Sequence, residues 1–161
     1  MSSRFSKTIA LGLLSGSLAV PAVAQTPPGD QSAVQASQAI AARKAVYTLI
    51  GNSFSPLGGV LQGKTQFDAA DALKRAERVA LLASYSQEVY PEVSKTGNTK
   101  AKPEIWEDRA AFDKRLQEFV DHSNALVAQL RKDKNNADAF KAAATTVAND
   151  CKGCHDQFRA K

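Results

Sequence analysis

The sequence predicts an all-α fold, an antiparallel up-down-up-down four-helix bundle, on three observations. Four segments repeat apolar residues in alternating steps of three and four, the seam spacing of helices packed at a small angle. Ala is abundant while aromatic residues make up only 7%, a balance that suits helices better than a β-sandwich. No segment alternates apolar and polar residues as a half-buried strand does, and no GxGxxG or P-loop sequence competes with the helical pattern. A chain of 161 residues, 43% hydrophobic and 23% charged, is ordinary for one globular domain and excludes collagen-like or wholly disordered classes. A domain of this size buries roughly two thirds of its unfolded surface, so it needs no disulfide staples.

The first 24 residues stand outside that bundle. Arg4 and Lys7 form a positive start, residues 9–20 are a short apolar run, and Ala22-Val23-Ala24 reads as a small-residue cleavage site. This is the pattern of a secretory signal peptide; the run is too short to span a bilayer. An uncleaved membrane anchor is the alternative. Cleavage before Gln25 divides the chain into a leader, 1–24, and one domain, 25–161. It also lowers the net charge from +5 to +3 and removes Met1, the sole methionine. The remaining basic residues are interleaved with acidic ones, which excludes a nucleic-acid footprint. Export implies a disulfide-permissive compartment, here the periplasm.

The first helix is expected over about 32–61, with Ala36, Ile40, Arg43, Tyr47, Ile50, Phe54, Leu57 and Leu61 on its seam. Pro56 is expected to bend or interrupt its last turns. The second begins near Phe67 with an Asp-rich first turn, and carries Ala69, Leu73, Ala76, Ala80 and Ala83. The third begins at about Asp108 with Phe112, Leu116, Phe119, Ser123, Leu126 and Leu130. The fourth begins near Asn136 with Phe140, Ala144, Val147, Cys151, Cys154 and Phe158. Only the connection 89–107, with Pro91, Gly97 and Pro103, is long; it could cross one end of the bundle or cover a ligand.

The chemistry lies in Cys151-Lys152-Gly153-Cys154-His155, a C-x-x-C-H sequence that marks attachment of a c-type haem. Two thiols three positions apart share one side of a helical turn and can add to the two haem vinyl groups as thioethers. The next residue then presents its imidazole to the iron. Gly153 leaves room for the macrocycle. The competing readings fit less well. Zinc needs four ligands, and the mature chain adds only the distant His122. A thioredoxin-type dithiol needs a βαβ setting. For the sixth position no methionine survives cleavage, and His122 falls beside the third seam, where it reads as a flanking histidine. A five-coordinate iron follows, with one axial face open or merely covered; an open face favours ligand binding over pure electron transfer.

At these residues the chain resembles the cytochrome c′ family, the class II c-type cytochromes, over essentially its whole mature length. The resemblance rests on C-x-x-C-H close to the C-terminus, Arg43 in the first helix, and Tyr90-Pro91 where Phe-Pro is usual. It rests also on Lys102-Pro103-Glu104-Ile105-Trp106 before the third helix and on the ending at residues 151–159. It implies a homodimer of four-helix bundles, often packed through the first two helices, each with one covalent high-spin haem c that binds NO and CO on a hindered distal face. Cys151 and Cys154 match the attachment residues and His155 the axial ligand. Arg43 matches a position that contacts a haem propionate, and Arg159 a basic residue near the proximal ligand. Tyr47 matches the distal position where many members place Leu or Phe; a phenol there is bulky and can donate a hydrogen bond. Trp106 is expected to anchor the long connection, and Phe140 and Phe158 to lie in the core. The implied function is a gas-binding cytochrome, with an electron carrier serving a periplasmic redox partner as the alternative. A peroxidase would need a distal acid–base pair that the sequence does not offer, so no enzyme activity is assigned.

Overall fold

The computed structural model describes residues 28–161; the leader 1–24 lies outside them. Four long helices form the bundle: α1 (Pro28–Leu61), α2 (Ala69–Tyr85), α4 (Arg109–Lys132) and α5 (Ala137–Phe158). A single helical turn, α3 (Glu104–Glu107), precedes α4. The helices pack in the order α1, α2, α4, α5, with α5 returning to α1. Among the described residues the β-type pairing is one isolated antiparallel bridge between Ala101 and Arg159.

Local chemistry sets the helix ends. Asp68, Asp108 and Asn136 are the N-caps of α2, α4 and α5, their side chains accepting from the N–H groups of Asp71, Ala111 and Ala139. Each such cap contributes about 1 kcal/mol. α1 stops at Gly63, whose φ of +68° suits glycine. There Gly63 N–H donates to the Val60 carbonyl and Lys64 N–H to that of Gly59, closing a Schellman turn. Of the two outcomes expected at Pro56, interruption does not occur, since α1 continues to Leu61. The hydrogen bond it cannot donate would have gone to Asn52, an exposed residue whose carbonyl water can serve.

All six seam residues of α4 are buried. On α2 the buried face is turned slightly, to Ala72, Ala76, Val79, Ala80 and Ala83, leaving Leu73 half-buried. The connection 86–107 is not plain loop: it makes two short 3-10 turns (Ser86–Glu88 and Glu92–Ser94) and then α3. It packs against α1, so that its Tyr90 and Ile105 join the core.

Candidate functional site

On the seam of α5, Phe140, Ala144, Val147 and Phe158 are buried, but Cys151 and Cys154 between them are only half-buried. The burial breaks there because both cysteines, together with His155, line a cavity of about 660 Å³. Helix geometry places the two free thiols one turn apart on the same wall. α1 supplies Arg43, Tyr47, Ile50 and Phe54, while α4 supplies Leu116 and Phe119. The connection adds Tyr90, Ile105 and the segment Thr99-Lys100-Ala101. The walls are largely apolar. Four exposed cations, Lys44, Lys100, Arg115 and Arg159, stand on the rim, with the half-buried Asp150 opposing them.

Arg43 is 5% exposed and its partners are neutral. Nη1 donates to the Val89 carbonyl (3.3 Å) and Ser94 Oγ (3.0 Å), and Nη2 to the Ser94 carbonyl (3.3 Å) and Thr99 Oγ1 (2.8 Å). The guanidinium also lies over the Tyr90 ring at 4.8 Å and near that of Trp106 at 5.8 Å. Its terminal nitrogens tie α1 to the 89–99 segment, and it still lines the cavity. Burial lowers its pKa, against the neighbouring Tyr90 and Tyr47.

The Tyr47 hydroxyl is enclosed and has no hydrogen-bond partner among the described residues. Burial pushes its pKa up to about 12, and that of Tyr90, edge-on to it at 6.3 Å, is raised for the same reason. Burial also pushes the Cys151 thiol up to about 11, with Asp150 adding to the effect. The Cys154 thiol is raised by burial, which Arg115 opposes. His155 is lowered by burial and then by Arg159.

Every site residue expected from the sequence, Arg43, Tyr47, Cys151, Cys154, His155 and Arg159, lines this one cavity. His122 does not; it pairs with Asp150 at 2.8 Å. Trp106 packs edge-on to Tyr90 outside the lining, as an anchor for the connection. Phe140 is core, and Phe158 is both core and cavity wall. The sequence reading passed over Arg115, Lys100 and Asp150. Of the missed wall residues, Ile50 and Phe54 on the α1 seam and Leu116 and Phe119 on the α4 seam carried a signal, their place on those stripes.

A flat, mostly apolar ring with two carboxylates suits this chamber. Both thiols and an imidazole share a wall, the remaining walls are mostly apolar, an unpartnered hydroxyl is enclosed beside them, and Lys44, Lys100, Arg115 and Arg159 on the rim could pair with the ring's carboxylates.

Comparison with known proteins gives the same answer. Residues 38–159 match the family described as Cytochrome C'. A cytochrome c′ of Rhodopseudomonas palustris is 34% identical over 134 residues, covering 83% of this chain and 89% of that one. The solved cytochrome c prime from Shewanella frigidimarina superposes with a TM-score of 0.74 at 34% identity, covering 78% of this chain and 97% of that one. Cytochrome c prime from Alcaligenes xylosoxidans was solved as a ferrous variant with NO bound (28% identity, TM-score 0.71, 78% and 96% covered). It was also solved as a variant with carbon monoxide bound (29%, 0.71, 78% and 97%). With the profile spanning most of the chain and relatives above 30% identity covering it, the chain belongs to the cytochrome c′ family and binds haem c, with its iron, covalently.

Proposed function

We propose that the protein is a periplasmic cytochrome whose five-coordinate, high-spin iron binds NO and CO on the side of the cavity formed by α1. The observation that carries this reading is the contrast between two walls. α5 presents Cys151, Cys154 and His155; α1 presents Arg43, Tyr47, Ile50 and Phe54, none of which is a methionine or histidine. Cys151 and Cys154 hold the haem by thioethers, and His155 is the protein's one axial ligand. The sole methionine lies in the leader, and His122 is not in the cavity lining but pairs with Asp150 at 2.8 Å. Arg159 places a positive charge beside His155, and the Nε–H of Arg43 is the donor left over from its ties to the 89–99 segment for a propionate. The NO-bound and CO-bound relatives support the ligand class.

The leader 1–24 directs export, and no helix among the described residues is long and apolar enough to cross a membrane. The active unit is a homodimer packed through α1 and α2, the helices that carry the exposed Val34, Leu49, Leu81 and Tyr85. One observation favours electron transfer as a second role: Lys44, Lys100 and Arg159 on the rim form no ion pair among the described residues. A ring of free cations suits an acidic redox partner.

The test is the absorption and resonance Raman spectrum of the reduced protein, recorded before and after adding NO. A high-spin five-coordinate spectrum that converts to an NO adduct is expected, and His122→Ala should leave it unchanged. A low-spin spectrum before the gas is added, or a low-to-high-spin change in His122→Ala, would overturn the assignment.

A further inference from the structure

The last turn of α5 carries His155, and the final four carbonyls of a helix have no partner within it. Here they belong to His155, Asp156, Gln157 and Phe158. The His155 carbonyl accepts from Arg159 N–H at 3.3 Å. The other three all receive donors from one residue of the connection. Lys102 Nζ donates to the carbonyls of Asp156 (3.3 Å) and Gln157 (3.0 Å), and Lys102 N–H donates to that of Phe158 at 3.0 Å. An ammonium at a helix C-terminus also opposes the negative end of the helix dipole.

The segment that presents Lys102 is held from both sides. Ala160 N–H donates to the Lys100 carbonyl at 2.8 Å, and Ala101 pairs with Arg159 in the isolated bridge. Thr99 Oγ1 accepts from Arg43 Nη2 at 2.8 Å and from Ala101 N–H at 3.0 Å. A chain of hydrogen bonds therefore runs from α1 through residues 99–102 to the turn bearing the imidazole. Lys102 itself lies outside the cavity lining.

We propose that Lys102 is a positioning residue for His155: by closing three successive carbonyls after it, Lys102 fixes how the last turn of α5 presents the imidazole. The proposal rests on the reading of His155 as the axial ligand. Removing the ammonium leaves the Asp156 and Gln157 carbonyls to water, which reaches this exposed end of the helix. The fold survives the change, and the loss falls on the order of one turn.

The experiment uses the holoprotein with Lys102→Met, which keeps the aliphatic stem and the backbone N–H, and Lys102→Arg, which restores a charged donor. Two quantities are read: amide hydrogen exchange at residues 156–160, and the iron–imidazole stretching band of the reduced protein by resonance Raman. In Lys102→Met, exchange should quicken roughly five- to tenfold and the band should shift or broaden. Lys102→Arg should bring both back toward wild type. Faster exchange with an unmoved band would make Lys102 an ordinary helix cap and overturn the proposal, as would a variant matching wild type in both. His155→Gly separates the two readings. If the band persists there, His155 is not the ligand and the underlying assignment falls; if it vanishes there yet is unmoved in Lys102→Met, only the positioning role falls.

Discussion

Two side chains on the α1 wall show opposite ways of burying a polar group. Arg43 spends four hydrogen bonds on the 89–99 segment, so its charge is dispersed over neutral oxygens and two aromatic faces. Arg43→Leu leaves the Val89 and Ser94 carbonyls without those donors, and should cost about 2–4 kcal/mol in denaturant unfolding of the holoprotein. A loss below about 0.5 kcal/mol, the range of an ordinary surface change, would show that these bonds do not hold the segment. Tyr47 is the reverse case: its hydroxyl is enclosed and unpartnered, so the ring does the packing. Tyr47→Phe should therefore be neutral or stabilising by up to about 1 kcal/mol, while Tyr47→Ala should cost about 2–4 kcal/mol for the cavity it opens. Stopped-flow CO and NO association gives the functional side. The Ala variant should associate many times faster, because no ring has to be displaced, and the Phe variant like wild type. Equal rates in all three proteins would remove Tyr47 from the ligand's path.

At the scale of elements, what was legible in the sequence was whatever local periodicity and capping encode. The α4 seam, read from Phe112 to Leu130, is buried without exception, and the helix starts read near Phe67, Asp108 and Asn136 fall at or beside the N-caps Asp68, Asp108 and Asn136, where a short polar side chain satisfies a free N–H. The C-x-x-C-H turn was legible for the same reason, being a helical spacing. What escaped was set by distant partners. α3 is one turn long, too short to show a period. The partners of Arg43 lie 46 to 56 residues away, and the bridge from Ala101 to Arg159 joins segments that no spacing relates. Arg115 and Asp150 reach the cavity from beside the seams, where a stripe says nothing of them. Gly97 belongs to this non-local class: its φ is +120°, and a Cβ built there would stand 2.9 Å from Ile40 Cδ1. Gly97→Ala therefore strains the backbone and makes the end of the Ile40 side chain give way, and should cost about 1–3 kcal/mol by thermal or denaturant unfolding. An unchanged midpoint would mean that the connection is not pressed against α1 as the structure shows.

For the whole molecule, the large apolar side chains left exposed among the described residues are unevenly distributed. Val34 and Leu49 lie on α1, and Leu81 and Tyr85 lie one turn apart on α2, with Leu81 72% exposed. The chemistry, by contrast, is carried on α5, and neither Leu81 nor Tyr85 touches the cavity. The self-association surface proposed on α1 and α2 can therefore be altered without disturbing Cys151, Cys154 or His155. In a two-fold symmetric dimer each surface residue occurs twice, so one substitution places two charges in the interface. Leu81→Glu forfeits the burial of two leucines and forces two carboxylates out of water, together about 3–6 kcal/mol, enough to weaken association at least a hundredfold. Sedimentation velocity at micromolar concentration should accordingly find a dimer for the wild type and a monomer for Leu81→Glu. The absorption spectrum and NO binding should be the same in both, since the cavity is formed within one chain. A monomeric wild type, or a Leu81→Glu protein that remains dimeric, would show that the exposed face of α2 is not where two copies meet.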